Sequence, residues 1–238
     1  MIKKTNAIWI TGAGSGIGKA VAAEFCKQKK YVIASARNGK ALLEVKDILK
    51  EFGNYFIPFP LDVSKRNLLE KKLSKLSQNY FIKTLVNNAG ITSFNHAENE
   101  NFENIERIIK VNLLGAIFAA KLVLPEMIKR RKGTIINILS VASKKIFTQS
   151  SVYSASKAGL EAYMNVLREE VRKYNIKVIN IFPGATKTAI WPDEMLEQFS
   201  KRMMLPEDIA EFIFSLYSSN TSIVPEEVVL RPIQGDLQ

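Results

Sequence analysis

The 238-residue sequence is short of the side chains that usually carry thiol or metal chemistry: it has one cysteine, Cys26, and one histidine, His96. One cysteine cannot close an internal disulfide. Its setting, "AAEFCKQ", has the spacing of a helix face, where a thiol acts as a small buried hydrophobe. No metal site is expected. His96 lies in the polar stretch "SFNHAENEN", as a surface residue or the edge of a pocket. The eight prolines are scattered, so no linker is visible. There is no internal repeat or low-complexity tract, and a single domain over 1–238 is expected. No apolar run approaches the roughly 18 residues of a membrane span. The first six residues lack the apolar stretch and small-residue cleavage site of a signal peptide. A cytoplasmic protein without a membrane partner is therefore expected. Acidic residues are also scarce, 23 against 34 basic, for a net charge of +11. The lysines are spread over every helical segment, without a dense stripe and interleaved aromatics, so no nucleic-acid partner is expected.

What is present is an alternation of strand-like and helix-like segments within a chain that is 47% hydrophobic. Buried-strand runs fall at 6–11, 31–36, 55–63, 83–90, 133–140 and 176–184, with a possible seventh at 226–232. Helical spacing follows the glycines after Thr11, and recurs over about 39–52, 65–78, 105–130 and 151–174. Strands rich in Val and Ile, separated by helices, imply a parallel sheet covered on both faces. The expected fold is α/β, a doubly wound Rossmann fold with a central parallel sheet of about seven strands.

The first strand runs into "TGAGSGIG", with Gly12, Gly14, Gly16 and Gly18 at alternate positions. This is not the G-x-G-x-x-G fingerprint, because the third glycine would fall at Ile17 or Lys19. It is either a tight structural turn or a phosphate cradle, in which glycine lets backbone approach pyrophosphate at a helix N-terminus. Its place after the first strand favours the cradle. The second strand ends Ala34-Ser35-Ala36-Arg37-Asn38. A reader of NAD would place a carboxylate here, about 20 residues on, for the ribose 2′-hydroxyl. Ala36 holds that position and Arg37 follows. A guanidinium can bind a 2′-phosphate with two hydrogen bonds, so NADP(H) is expected over NAD(H), unless Arg37 is only a solvated loop residue.

Further features complete a pattern. "YSASK" puts Tyr153 and Lys157 four residues apart on one helix face. Ser140 ends the fifth strand, "NNAG" (87–90) ends the fourth, and Asn112 lies on the long helix. Together with Thr11-Gly12-x-x-x-Gly16-x-Gly18 and Pro183-Gly184, these residues make the chain resemble the short-chain dehydrogenase/reductase family over about residues 5 to 232. The resemblance implies interconversion of a ketone or aldehyde and an alcohol by hydride transfer. Tyr153 would be the general acid/base, Lys157 its charged neighbour and the ribose ligand, Ser140 the oxyanion donor, and Asn112 the holder of a helix irregularity and a water. A free tyrosine, with a pKa of about 10, exchanges protons poorly near neutrality, and a nearby ammonium would lower that value.

The resemblance also implies cofactor contacts at Gly12, Ser15, Gly16, Ile17, Gly18, Arg37, Asp62, Val63, Asn88, Ala89, Gly90, Tyr153, Lys157, Pro183, Gly184, Thr186 and Thr188. Gly14 occupies a variable position, and Ser15 lacks the basic residue many NADP-using members carry there. The alternative is a non-catalytic NADP-binding regulatory protein on the same fold.

Substrate choice would fall to 188–205, where Trp191, Met195, Leu196, Phe199, Met203 and Met204 form an apolar lid, a plain amphipathic helix, or both. Its shortness favours a small or medium carbonyl compound. A 3-oxoacyl substrate on an acidic carrier protein is open, because Lys129-Arg130-Arg131-Lys132 and Arg172-Lys173 end two helices; those charges also simply complement helix C-termini. A homotetramer or homodimer, packed through 105–130 and 151–174, is implied by the same resemblance.

Overall fold

The computed structural model describes residues 4–219 and 222–237. Seven strands form one sheet: β1 (Thr5–Thr11), β2 (Tyr31–Ala36), β3 (Phe56–Pro60), β4 (Tyr80–Asn87), β5 (Gly133–Ile138), β6 (Ile176–Pro183) and β7 (Glu227–Leu230). The spatial order is β3-β2-β1-β4-β5-β6-β7, and each adjacent pair is parallel. The winding reverses between β1 and β4, so a crevice opens at their carboxyl ends, where such sheets bind ligands.

The helices are α1 (Gly16–Lys27), α2 (Gly39–Ile48), α3 (Arg66–Leu76), α4 (Phe102–Ile108), α5 (Gly115–Arg130), α6 (Ser151–Val171), α7 (Asp193–Phe199) and α8 (Pro206–Ser218). Successive strand residues point to opposite faces, which divides the core in two. Trp9, Leu85 and Ile135 pack against α3, α5 and α6. Ile8, Ile10, Val86 and Ile136 pack against α1, α2 and α8. That double burial is why the strands read as Val/Ile runs rather than as alternating patterns.

Four expected boundaries shift for local reasons. The third strand stops at Pro60 rather than 63: β3 carries Pro58 and Pro60 and pairs only with β2, the edge position that proline tolerates. The helix from Gly39 breaks at Lys50, which takes a left-handed φ of 49°, and a 3₁₀ turn covers 50–55. Within 188–205 only α7 is α-helical, because the chain turns up to Pro192 before the helix starts. No helix was expected beyond 205, yet α8 runs there, opening on Pro206 with Glu207 and Asp208 in its first turn. Proline at that position and early carboxylates are helix-start signals. α8 packs on α1 through Phe214, whose ring meets Phe25 edge-on at 5.3 Å.

The long helix carries the irregularity expected at Asn112 and departs from expectation in its apolar length. A π-helical turn, Ile109–Leu114, joins α4 to α5. The 29-residue stretch Phe102–Arg130 also contains a window of mean hydropathy 1.8, long and apolar enough to cross a membrane by length and composition. This corrects the expectation that no segment reaches that length. The fold uses it as a core helix: Ala116, Ala119, Ala120, Val123 and Met127 join the cluster on one sheet face.

A row of buried asparagines crosses the sheet. Asn87 lies beside Asn137, and Asn137 beside Asn180, in strand register. Asn87 Nδ2 donates to Asn137 Oδ1 at 3.1 Å, Asn137 Nδ2 to Asn180 Oδ1 at 2.9 Å, and Asn180 Nδ2 to Asn165 Oδ1 of α6 at 2.9 Å. Buried amides need such partners, and the row ties β4, β5 and β6 to α6 just behind the site.

Candidate active site

The turn after β1 can only be built with glycine at two points. Gly12 has φ +70°, and a Cβ there would lie 2.8 Å from Asn88 Nδ2 and 2.9 Å from Ala89 Cα. A Cβ on Gly18 would collide with Gly12 O and Asn88 Nδ2. The turn is therefore pressed onto the end of β4. Thr11 Oγ1 accepts from the N–H groups of Asn88 and Ala89, both at 3.0 Å. Asn88 Nδ2 donates to Thr11 O at 2.9 Å and Gly12 O at 3.2 Å. These bonds commit the Asn88 amide to holding the glycine turn. Ser15 caps α1 by position but makes no side-chain capping bond, so the first N–H groups of α1 face the crevice without a side-chain acceptor.

At the carboxyl end of β2, Arg37 is exposed and makes no ion pair among the described residues. Asn38 caps α2, accepting from Lys40 N and Ala41 N. Ala36 Cβ lies 3.2 Å from the Cβ position of Gly14, so both residues must be small. After β3, Asp62 Oδ1 accepts from Ser64 N at 2.9 Å and Ser64 Oγ at 2.7 Å. Val63 Cγ2 sits 2.7 Å from the Cβ position of Gly115, which explains a glycine directly after the π turn.

Ser140, Tyr153 and Lys157 meet at the next strand end. β5 stops at Ile138, and Ser140 opens a 3₁₀ turn over Val141–Ser143, its Oγ accepting from Ala142 N at 3.1 Å. α6 starts at Ser151, placing Tyr153 and Lys157 in its first two turns. Lys157 is 4% exposed. Its Nζ donates to Ile138 O at 2.8 Å and lies 5.7 Å from the Tyr153 ring centroid. Burial lowers the Lys157 ammonium to about 8. Burial also raises the Tyr153 phenol, and the Ser140 hydroxyl is the group that pulls it back. The downward pull expected from Lys157 does not appear: burial dominates, the Ser140 hydroxyl alone opposes it, and the lysine is turned towards a backbone carbonyl.

Asn112 sits inside the π turn, fully buried. Its Oδ1 accepts from Ile91 N at 2.9 Å, and its Nδ2 donates to Ile91 O at 2.9 Å and Ser156 Oγ at 3.0 Å. It thus pins the loop after "NNAG" to α6 beside Lys157. Gly90 lies between the two, its Cβ position 3.5 Å from Lys157 Nζ and 3.6 Å from Asn112 Oδ1.

From β6, Pro183 and Gly184 lead into Thr186, whose Oγ1 donates to Gly184 O at 3.0 Å. Thr188 Cγ2 approaches the Cβ position of Gly16 (φ +52°) to 3.1 Å, and Ile17 is half-buried nearby on α1. Trp191 Nε1 donates to Thr186 O at 3.0 Å. The Trp191 ring stacks on Phe94 at 5.5 Å between centroids. That pair joins the loop after β4 to the loop after β6 across the crevice. Phe94 belongs to none of the motifs; an aromatic isolated in a polar loop is its signal in the sequence. His96 sits at the same rim, with Nε2 3.1 Å from Gln149 Nε2. Of the lid residues, Met203 is buried in the body of the fold and Met204 packs on the core, while Met195, Leu196 and Phe199 are half-buried.

The basic helix ends lie elsewhere. Arg172 follows Tyr153 by almost the whole of α6, about 28 Å at 1.5 Å per residue. Lys129–Lys132 end α5 just before β5 begins, at the same far edge of the sheet. Cys26 is fully buried, which pushes its thiol up to about 12. Among the described residues, no three His, Cys, Asp or Glu side chains group to hold a metal ion.

Architecture and crevice set the class: a doubly wound dinucleotide-type fold, with acid–base residues gathered where the winding reverses. A family model described as short chain dehydrogenase matches residues 6–198. The chain belongs to the short-chain dehydrogenase family. A sepiapterin reductase of Chlorobaculum tepidum is 31% identical over 237 residues, covering 96% of this chain and 97% of that protein. A closed serine dehydrogenase complexed with NADP+ superposes with a TM-score of 0.90 at 27% identity, covering 97% of this chain and 96% of its own. A 3-oxoacyl-[acyl-carrier protein] reductase of Brucella melitensis superposes with a TM-score of 0.83 at 26% identity, covering 96% and 90%.

Proposed function

We propose that this protein is an NADP(H)-dependent oxidoreductase that interconverts a small or medium ketone or aldehyde and its alcohol. One observation carries the reading: Ser140, Tyr153 and Lys157 converge at the carboxyl edge beside the glycine turn, with Lys157 anchored on Ile138 O. The dinucleotide supplies the hydride when bound. The cradle suits it: a turn in which a Cβ on Gly12 or Gly18 would clash, an α1 N-terminus without a side-chain cap from Ser15, and Arg37, which makes no ion pair among the described residues, for a 2′-phosphate. The serine dehydrogenase named above binds NADP+, in line with this assignment. Gly16, Ile17, Asp62, Val63, Ala89, Gly90, Pro183, Gly184, Thr186 and Thr188 would complete the contacts.

In the reduction, the Ser140 hydroxyl donates to the carbonyl oxygen as negative charge grows there. Tyr153 Oη gives the same oxygen its proton. A phenol held above its ordinary value by burial is fully protonated near neutrality, the form required of the acid. Lys157, still mostly charged at pH 7, would hold the ribose hydroxyls of the bound cofactor. Asn112 keeps the π turn and the Ile91 loop fixed against α6. The direct test is NADPH oxidation over a panel that includes sepiapterin, simple ketones, 3-oxoacyl thioesters and, in reverse, serine. Tyr153→Phe should remove turnover while the NADPH dissociation constant stays within about twofold. Substantial residual rate would refute the assignment. Absence of turnover with every substrate, despite tight NADPH binding, would support the regulatory alternative.

The Phe94–Trp191 stack favours a planar or apolar substrate beneath it. A 3-oxoacyl thioester is the second reading, supported by the likeness to the Brucella reductase. Carrier docking on the basic helix ends is the weaker part of it, given the distance of about 28 Å along α6. A carrier-bound thioester should turn over no faster than a free one. We also propose that the chain acts as one domain. Tyr163, Val166, Ile117 and Leu114 leave apolar surface on α5, α6 and the turn between α4 and α5, which suits packing of those helices into a homodimer or homotetramer; sedimentation velocity would read it.

A further inference from the structure

The segment after β7 begins at Arg231 and folds back against the body of the protein. β7 carries the chain to the carboxyl edge, where Gly184 N donates to Leu230 O at 2.7 Å. Pro232 is buried, with its Cδ 3.2 Å from the Cβ position of Gly184. The chain then reverses: Gly235 N donates to Pro232 O at 2.8 Å, with Gly235 at φ +79°. This turn brings Asp236 back against the body of the protein, leaving its side chain only 7% exposed.

Asp236 holds three partners. Its Oδ2 accepts from Lys145 Nζ at 2.9 Å and from Arg231 Nη1 at 3.0 Å. Its carbonyl oxygen accepts from Arg202 Nη2 at 3.3 Å. Lys145 belongs to the loop between Ser140 and Tyr153, and its N–H bonds Val141 O at 2.9 Å. Arg202 closes the 3₁₀ turn after α7, directly before Met203 and Met204. Met204 N donates to Ala185 O at 3.0 Å, and Lys187 N donates to Met204 O at 2.9 Å, on either side of Thr186. One residue therefore joins the loop that follows Ser140 to the lid that follows β6.

We propose that Asp236 is a positioning residue that sets the gap between these two walls and so selects the substrate. This rests on the reading of the site as a carbonyl-reductase site. Lys145 and Arg231 are about half exposed, so each pair alone is screened by water. The carboxylate is not: with Lys145 removed only Arg231 still compensates it, and the local chain must open to hydrate the rest of its buried charge. Opening is confined to the far part of the loop. Its near part is held separately, by Lys144 Nζ on Glu161 at 2.9 Å and Glu227 at 2.8 Å, and by Ser143 Oγ on Glu161 at 2.8 Å. Loss of the clasp should accordingly change the fit of the substrate and leave Ser140 and the cofactor contacts in place.

The test uses Asp236→Asn, Lys145→Gln and the double variant. Each single change should raise KM for the carbonyl substrate about tenfold, a single charge-assisted contact's worth, with kcat within about twofold. NADPH affinity should not move. The double variant should be no worse than Asp236→Asn alone, because that change already breaks the contact Lys145 makes, and Asp236→Glu should recover most of the loss. Hydrogen exchange over 145–150 should quicken in Asp236→Asn, a readout that needs no turnover. An unchanged KM, losses that multiply in the double variant, or unchanged exchange over 145–150 would each overturn the proposal. If the wild-type protein reduces no carbonyl compound, the functional reading fails instead, and the exchange data still judge the clasp.

Discussion

The buried charge of Lys157 should cost the protein stability at neutral pH, in the absence of added nucleotide, although activity depends on the residue. The ammonium is 4% exposed, and burial lowers it from 10.5 to about 8. The unfolded chain therefore binds more protons than the folded one between those values, so stability rises with pH across that window and its contribution is complete above the unfolded value. Near pH 7 the charged lysine costs the fold on the order of 3 kcal/mol. Between about pH 7 and about pH 9.5, roughly 2 kcal/mol of that cost disappears. Lys157→Met keeps most of the length of the side chain and removes the charge; it also leaves Ile138 O without its donor, a penalty of about 1–3 kcal/mol that does not depend on pH. The clean measurement is the difference between two pH profiles. Urea unfolding of wild type and Lys157→Met, at several pH values, should show the two stabilities converging in favour of wild type by about 2 kcal/mol as pH rises to about 9.5. Other titrating groups cancel in that comparison. Parallel profiles would show that the lysine is not held at a lowered pKa.

Other expectations follow from single contacts. Arg37→Ala should weaken NADPH binding by about ten- to a hundredfold and leave NADH binding unchanged, by fluorescence titration; equal affinities in the wild type would remove the basis for NADP(H). Gly18→Ala puts a methyl group onto Gly12 O and Asn88 Nδ2, so nucleotide binding should be lost before the fold is, seen as a normal circular dichroism spectrum with no NADPH enhancement. Trp191→Ala removes the stack on Phe94 and the bond to Thr186 O, and should raise KM for the carbonyl substrate more than it lowers kcat. Asn137→Ala strips the middle of the asparagine row and strands the Asn180 acceptor, at about 2–3 kcal/mol by chemical denaturation.

The sequence by itself determined the doubly wound sheet, because strands buried on both faces must be apolar throughout, and the alternation with helices leaves few other topologies. It also determined the glycine turn and the Tyr153–Lys157 pair, since both depend on spacing within one segment. Residues 50–55, 60–63 and 188–192 were less legible: a left-handed Lys50, an edge strand with two prolines and a turn before Pro192 are set by local backbone choices that periodicity does not record. Only the tertiary structure decided what depends on contacts between distant segments. It placed the Arg172 end of α6 about 28 Å from Tyr153, turned the Asn88 amide onto the glycine loop, and set burial above lysine as the influence on the Tyr153 phenol. It also brought Phe94 against Trp191 and Asp236 against Lys145, pairs separated by about 90 residues or more along the chain. Desolvation and pairing across such distances follow from where the chain folds back, which no local pattern encodes.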